Sequence, residues 1–184
     1  INQRLGTVEY GGGASTSYTL TVTGIARLAA HNGIGSGVLV SLGASAAATL
    51  DLNGFNTTVA GVQKSTNGAT VTNSGAADST LTVSNSTGRT FGGVIQDGTK
   101  KINLVKSGTA SFTLSGANTY SGTTTVTVGS LAGTGSANSN LTVQSGGTLN
   151  PGVGAVIGTF ATKEAAILAG GSLSIQLDSS GTPA

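Results

Sequence analysis

The sequence predicts an all-β protein, a parallel β-helix in which short strands coil into stacked rungs. Three observations predict it: a strand-like phrase that returns six times, a turn residue at a fixed offset from it, and few good helix formers. A constant period of about 20–50 residues is typical of solenoids. One residue marks each copy, and successive markers are 30, 31, 31, 29 and 32 residues apart. The markers are Leu20, Leu50, Leu81, Phe112, Leu141 and Leu173.

The third copy of the phrase shows the strand pattern most clearly. Leu81 and Val83 alternate with Thr80 and Thr82. Successive side chains of a strand point to opposite faces, so we expect the apolar pair inside and the threonines outside. Asn85 then occupies a turn position, because Asn and Gly accept a left-handed backbone at low cost. Three other copies carry glycine at the same offset: Gly24, Gly54 and Gly116.

Two more strands complete each predicted rung. The second strand is expected at residues 57–62, 90–95 and 123–128, and the third at 38–40, 70–72 and 102–105. Three short strands per rung, closing about every 31 residues, predict about six rungs with one continuous core. The alternative is a pair of immunoglobulin-like sandwiches, which also have many short strands. The steady period and the absence of Trp argue against it.

Composition narrows the function classes. Only 8% of the residues are charged and the net charge is +2, with no basic stripe, so no nucleic-acid partner is expected. No apolar run reaches the length of a membrane helix, and we expect no membrane insertion of this segment. The absence of Cys fits an exported bacterial protein and a cytosolic one equally well. Residues 1–184 are predicted to form one solenoid, part of a longer passenger or fibre, since no polar cap is evident.

The residues that could carry chemistry are few. His31 is the only histidine and is expected to be a solvated loop residue, because one histidine without a carboxylate makes neither a triad nor a metal site. The carboxylates are Glu9, Asp51, Asp78, Asp97, Glu164 and Asp178. Of these, Asp51 alone occupies the outward slot after a marker, where the other copies have hydroxyls. We therefore predict no enzyme, with no catalytic, cofactor-binding or metal-binding residues.

A polysaccharide-active enzyme is the competing hypothesis on this point. It requires Asp51, Asp78 or Asp97 to lie within about 10 Å of each other and of Lys or Arg in one groove, the range of paired carboxylates in glycosidases.

Two Ala-rich segments depart from the pattern of the rungs, at residues 25–30 and 162–168. Each is either a strand or inter-strand loop of the coil, or a small insertion that projects from the rod or caps an end.

Residues 104–126 read LVKSGTASFTLSGANTYSGTTTV, and Gly129-Ser130-Leu131 follows. This stretch resembles the passenger-associated transport repeat, also called the autotransporter-associated β-strand repeat. The family pattern runs Leu-x-Lys-x-Gly-x-Gly-x-Leu-x-Leu-x-Gly-x-Asn-x-Tyr-x-Gly-x-Thr-x-Val. This sequence departs from it at Ala110 and Phe112, which keep the small and apolar character of those sites. The best match spans residues 102–152.

The resemblance implies a right-handed parallel β-helix exported by bacteria of the Gram-negative type, outside the cell or on its surface, and it brings no catalytic residues. The leading hypothesis is a non-enzymatic structural segment, a rigid spacer or filament unit able to stack end to end through open rung edges. The alternative is an adhesin that presents Thr, Ser and Asn ladders to a glycan or host surface. A polysaccharide-active enzyme is the third hypothesis.

Overall fold

The computed structural model describes residues 8–10, 17–43, 47–64, 68–153 and 156–176. It confirms an all-β solenoid of parallel strands, with about seven turns, close to the six predicted. The strands are β1 (Val8–Tyr10), β2 (Thr19–Val22), β3 (Ile25–Leu28), β4 (Leu39–Leu42), β5 (Ala48–Asp51), β6 (Thr57–Val59), β7 (Gly61–Gln63), β8 (Ala69–Thr72), β9 (Ser79–Val83), β10 (Arg89–Phe91), β11 (Val94–Ile95), β12 (Ile102–Lys106), β13 (Ser111–Leu114), β14 (Thr124–Val126), β15 (Gly129–Gly133), β16 (Ser136–Val143), β17 (Gly147–Val153), β18 (Val156–Ile157), β19 (Ala161–Ile167) and β20 (Ser172–Leu173).

The strands stack into three faces, as predicted for each rung, but face A ends at β11 and the described rungs after it have strands on faces B and C only. Face A contains β1, β3, β5, β8 and β11, and face C contains β6, β9, β12, β14, β16 and β19. Face B starts with β2, β4 and β7 and continues, after a bridge between Lys64 and Phe91, with β10, β13, β15, β17 and β20. Pairing is parallel throughout these faces, and β18 alone among the described strands pairs antiparallel, against β17.

The rungs are shorter than the spacing between successive markers, and this part of the prediction is wrong. On neighbouring rungs Thr124 pairs with Leu141, and Lys64 pairs with Phe91. One turn of the coil is therefore shorter than the interval of about 31 residues between markers. The phrase recurs about every one and a third turns of the coil. Its copies therefore lie on different faces: β2, β13 and β20 on face B, β5 on face A, and β9 and β16 on face C.

The phrase recurs in this way because all three faces need the same chemistry. Each strand must alternate an apolar side chain inward with a polar one outward, whichever face it belongs to. In β9 the predicted orientation is confirmed, since Leu81 and Val83 are fully buried while Thr80 and Thr82 are half-buried. The left-handed turn predicted after the phrase is present at Asn53 and Gly54, whose φ angles are 49° and 82°. This prediction is wrong for Gly24, Asn85 and Gly116, which do not have a positive φ.

The core consists of side-chain ladders that run along the axis of the coil. On face C one ladder stacks Leu81, Leu104, Thr124 and Leu141 through consecutive register pairs. All four are buried. Burying a Leu or Val side chain contributes about 1.5–3 kcal/mol before the cost of ordering the chain. No rung could bury its apolar face alone, so stability depends on the stack.

Both Ala-rich segments are strands of the coil. Residues 25–28 form β3, which pairs with β1 and β5 on face A. Residues 161–167 form β19, which pairs with β16 at the end of face C. The strand interpretation is therefore confirmed and an insertion is not present at either place. In the described part of the chain, no helix is long and apolar enough to cross a membrane.

Candidate functional site

Asp51 lies at the corner between faces A and C, where the predicted carboxylates of interest gather. Its side chain is only 3% exposed. The carboxylate accepts hydrogen bonds from Arg27 Nε at 2.8 Å, from the Ser74 hydroxyl at 2.5 Å and from the amides of Asn53 and Ser74. Burial raises the pKa of Asp51, but the bonds from Ser74, Arg27 and Asn53 outweigh burial and hold this pKa below its usual value. Asp51 thus ties three neighbouring rungs together.

Asp78 and Asp97 come close to each other at the same corner, on the two rungs that follow Asp51. Asp78 accepts from the backbone amide of Lys101 at 3.0 Å, and Asp97 from the amide of Ile102 at 2.9 Å. Consecutive residues are about 3.8 Å apart, so the two carboxylates lie within about 10 Å of each other, as the enzyme hypothesis requires. Asp97 also accepts from the amide and hydroxyl of Ser121, at 2.9 and 2.6 Å. These hydrogen bonds give Asp78 and Asp97 a structural role, because they hold neighbouring turns of the coil together.

The other residues considered from the sequence are dispersed. His31 Nδ1 accepts from the amide of Asn56 at 3.0 Å, and its ring stands edge-on to Phe55 with centroids 5.3 Å apart. Glu164 accepts from Asn140 Nδ2 at 3.0 Å. Asp178 and the side chain of Glu9 lie outside the described residues. Among those that are described, no three His, Asp or Glu side chains cluster as a metal site would require.

Lys106 is the least expected side chain of the interior. It occupies an inward position at the end of β12, stacked between Val83 and Val126, and is fully buried. Its Nζ donates to the carbonyl oxygens of Gly108, in the turn after its own strand, and of Val128, one rung further along. Burial lowers the pKa of Lys106 to about 8. A neutral amine has two N–H groups, which match the two carbonyls.

Asn118 and Tyr120 join rungs in the same way at the next corner. Asn118 Oδ1 accepts from the amide of Ile95 on the previous rung at 2.8 Å, and its Nδ2 donates to Ser136 O on the next rung, also at 2.8 Å. Tyr120 Oη lies 2.6 Å from Thr124 Oγ1, which lies 2.6 Å from Ser139 Oγ on the next rung. Burial raises the pKa of Tyr120 to about 12, and the hydrogen bonds oppose that rise.

Sequence reasoning did not identify these three side chains as buried linkers. The signal was present for Asn118, because Asn at a turn satisfies backbone groups that no strand partner reaches. Asn73 works similarly, accepting from the amide of Gly54 at 2.7 Å and donating to Lys101 O at 3.0 Å. A lysine at an inward strand position gives no such signal, since Lys is almost never fully buried.

A shallow depression of about 370 Å³ opens beside this corner, towards the end of the coil. Asn118 and Ala137 are buried residues of its lining, and Thr119, Asn138 and Lys163 are exposed ones. No carboxylate lines it, so Asp78 and Asp97 do not open into this depression.

Comparison with known proteins identifies the segment that contains these linkers. Residues 104–132 match the family profile of the passenger-associated transport repeat. The match begins in β12 and ends in β15, and it includes Lys106, Asn118 and Tyr120. No curated protein and no solved structure matches the chain at a significant level.

Proposed function

We propose that this chain, an autotransporter-associated repeat protein by its match over residues 104–132, is a non-enzymatic structural segment of a secreted or surface-displayed bacterial protein. The observation that carries the proposal is the coincidence of the match with Lys106, Asn118 and Tyr120. The buried side chains of Lys106, Asn118 and Thr124 in this segment make hydrogen bonds between rungs. A segment built around such contacts suits a rod that must hold its shape.

The coil has the properties of a rigid spacer. Its backbone hydrogen bonds run along the axis, and about seven turns at about 4.8 Å per rung give a rod of about 34 Å. Asp51 and Asn73, at the corner between faces A and C, and Asn118, at the corner after β13, each bond to more than one neighbouring rung, which resists bending of the coil. Such a segment would hold flanking parts of a longer protein at a fixed distance.

The last described rung motivates self-association as a second part of the proposal. Ile167 and Leu173 continue the inward ladders of Val143 and Leu149, yet they are 39% and 49% exposed because no described strand covers them. The contact they lack is the one that every earlier rung makes with its successor. A rung of a second copy of this chain would supply it, and the result would be end-to-end stacking.

Three measurements test the structural role. Small-angle X-ray scattering of the purified chain should give a short rod, and negative-stain microscopy should show longer particles as concentration rises. In a Gram-negative host that expresses the chain within its parent reading frame, external protease should cleave it on intact cells while a periplasmic marker stays protected. Protection of the chain under those conditions would contradict surface display, and hydrolysis of a polysaccharide that Asp97→Asn abolishes would contradict the non-enzymatic role.

A further inference from the structure

The depression beside Asn118 is produced by an irregularity in strand pairing. Ala137 pairs with Thr162 and Asn140 with Glu164, so β16 has one residue more than β19 in the interval between these pairs. Such a bulge bends the strand and redirects the side chains next to it. Ser139 turns inward to Thr124, while Asn138 is exposed at the rim.

Most of the lining of the depression is apolar, and its polar side chains Asn118 and Thr162 are hydrogen-bonded within the coil, whereas other polar groups of the lining are free to bind a ligand. In the described structure the side chains of Thr119, Asn138 and Lys163 make no hydrogen bond, and Ser136 makes only a long one, of 3.4 Å, to Asn118 O. Lys163 forms no ion pair with a described residue. It is also the only charged side chain of the lining. The depression therefore offers a hydroxyl, an amide and one ammonium group at the same surface.

These groups fit a particular class of ligand. A volume of about 370 Å³ is at the lower end of the ~300–1,000 Å³ range of small-molecule sites, which suits one or two sugar rings. Hydroxyl and amide side chains pair with the hydroxyls of a sugar, and a single ammonium pairs with one carboxylate. No aromatic side chain lines the surface, so stacking on a ring face contributes nothing.

We propose that this depression binds a carboxylate-bearing sugar residue of an extracellular polysaccharide, with Lys163 on the carboxylate and Thr119, Ser136 and Asn138 on the hydroxyls. The proposal deepens the adhesin alternative and is independent of the spacer role. Because the site is shallow and open and offers few contacts, it binds a single sugar residue only weakly. A polymer that repeats the ligand would gain affinity by engaging several copies displayed on one surface.

The test is a titration followed by NMR on the whole chain, with galacturonic acid as probe and galactose as the neutral counterpart. We expect shifts that cluster at residues 118–119, 136–138 and 161–163, with millimolar affinity for the acid and much weaker affinity for galactose. Lys163→Gln should reduce affinity for the acid to the level of galactose. Asn138→Ala should weaken binding of both sugars.

Lys100→Gln is the matched control, since Lys100 is also exposed but lies away from the depression. It should leave the titration unchanged. The proposal is overturned if the acid causes no shifts around the depression, if galactose binds equally well, or if Lys100→Gln weakens binding as much as Lys163→Gln. None of these results would affect the proposed spacer role, which is judged on particle shape and surface exposure.

Discussion

The Nζ atom of Lys106 lies 3.2 Å from the carbonyl oxygen of Val128, although 22 residues separate them in the chain. The amine thus crosses from one turn of the coil to the next within the interior. Removing an amine from water is costly in its charged form, and burial lowers the pKa of Lys106 to about 8 from its ordinary value of 10.5. This contact makes the stability of the coil dependent on pH.

We predict that the protein becomes more stable as pH rises from 7 to 9. Between the folded pKa of about 8 and the unfolded value of 10.5, the unfolded chain binds more protons at Lys106 than the folded chain does. Stability therefore increases by about 1–2 kcal/mol from pH 7 to pH 9. Urea unfolding at both pH values measures it, and Lys106→Met should remove the increase. An equal increase in that variant would contradict the assignment to Lys106, and Lys100→Met is the control for an exposed lysine.

Asp51→Asn should destabilise the fold at pH 7 by about 1–3 kcal/mol, because a buried group would lose bonds to Arg27 and Ser74. The pKa of Asp51 is below its ordinary value of 3.8, so its contribution is present above that value and is lost as pH falls below it. The difference between variant and parent in urea unfolding should shrink towards pH 2. Asp78→Asn, at an exposed carboxylate, should cost less at pH 7.

Gly108→Ala should prevent normal folding or lower the melting temperature strongly. A Cβ at this position would overlap the backbone of Asn85 on the previous rung, which has no room to shift. Gly88 lies in an open corner with nothing within 4 Å of an added Cβ. Gly88→Ala should change stability by no more than about 0.5 kcal/mol. Circular dichroism melts of both variants make the comparison, and equal melting temperatures would show that the rungs can separate at Gly108.

Tyr120→Phe should cost about 1 kcal/mol, since it removes one buried hydrogen bond while Thr124 keeps its bond to Ser139. Thr124→Val removes the link between them. Because both residues belong to one chain of hydrogen bonds, the double variant should cost less than the sum of the single variants. Chemical denaturation of the four proteins measures the coupling, and strict additivity would mean that the chain does not act as a unit.

The sequence was sufficient to predict the solenoid and its three faces, but not the length of a rung, nor that face A ends at β11 and leaves strands on faces B and C only in the later described rungs. Leu50 and Leu81 look like equivalent residues of successive rungs, yet they lie on faces A and C. The alternation of apolar and polar residues is identical on every face, so periodicity alone does not tell which face a strand belongs to. Only the pairing of strands does, and pairing is a property of the folded chain.

The candidate sites were less predictable. Asp78 and Asp97 are distant in the sequence and meet because their corners lie on adjacent rungs. The depression beside Asn118 depends on one extra residue in β16, whose effect appears only when β19 pairs with it. Both are consequences of register between rungs.

The rungs are unequal in length, since the turn that leads from Lys64 to Phe91 contains more residues than the one that leads from Thr124 to Leu141. The ladders stay in line all the same, because the corners take up the difference. The strands must therefore keep their pattern of inward side chains, whereas the length of a corner can differ from one rung to the next. A protein engineer could use an open corner, such as the one at Gly88, as an insertion site for an epitope or an enzyme tag without redesigning the core.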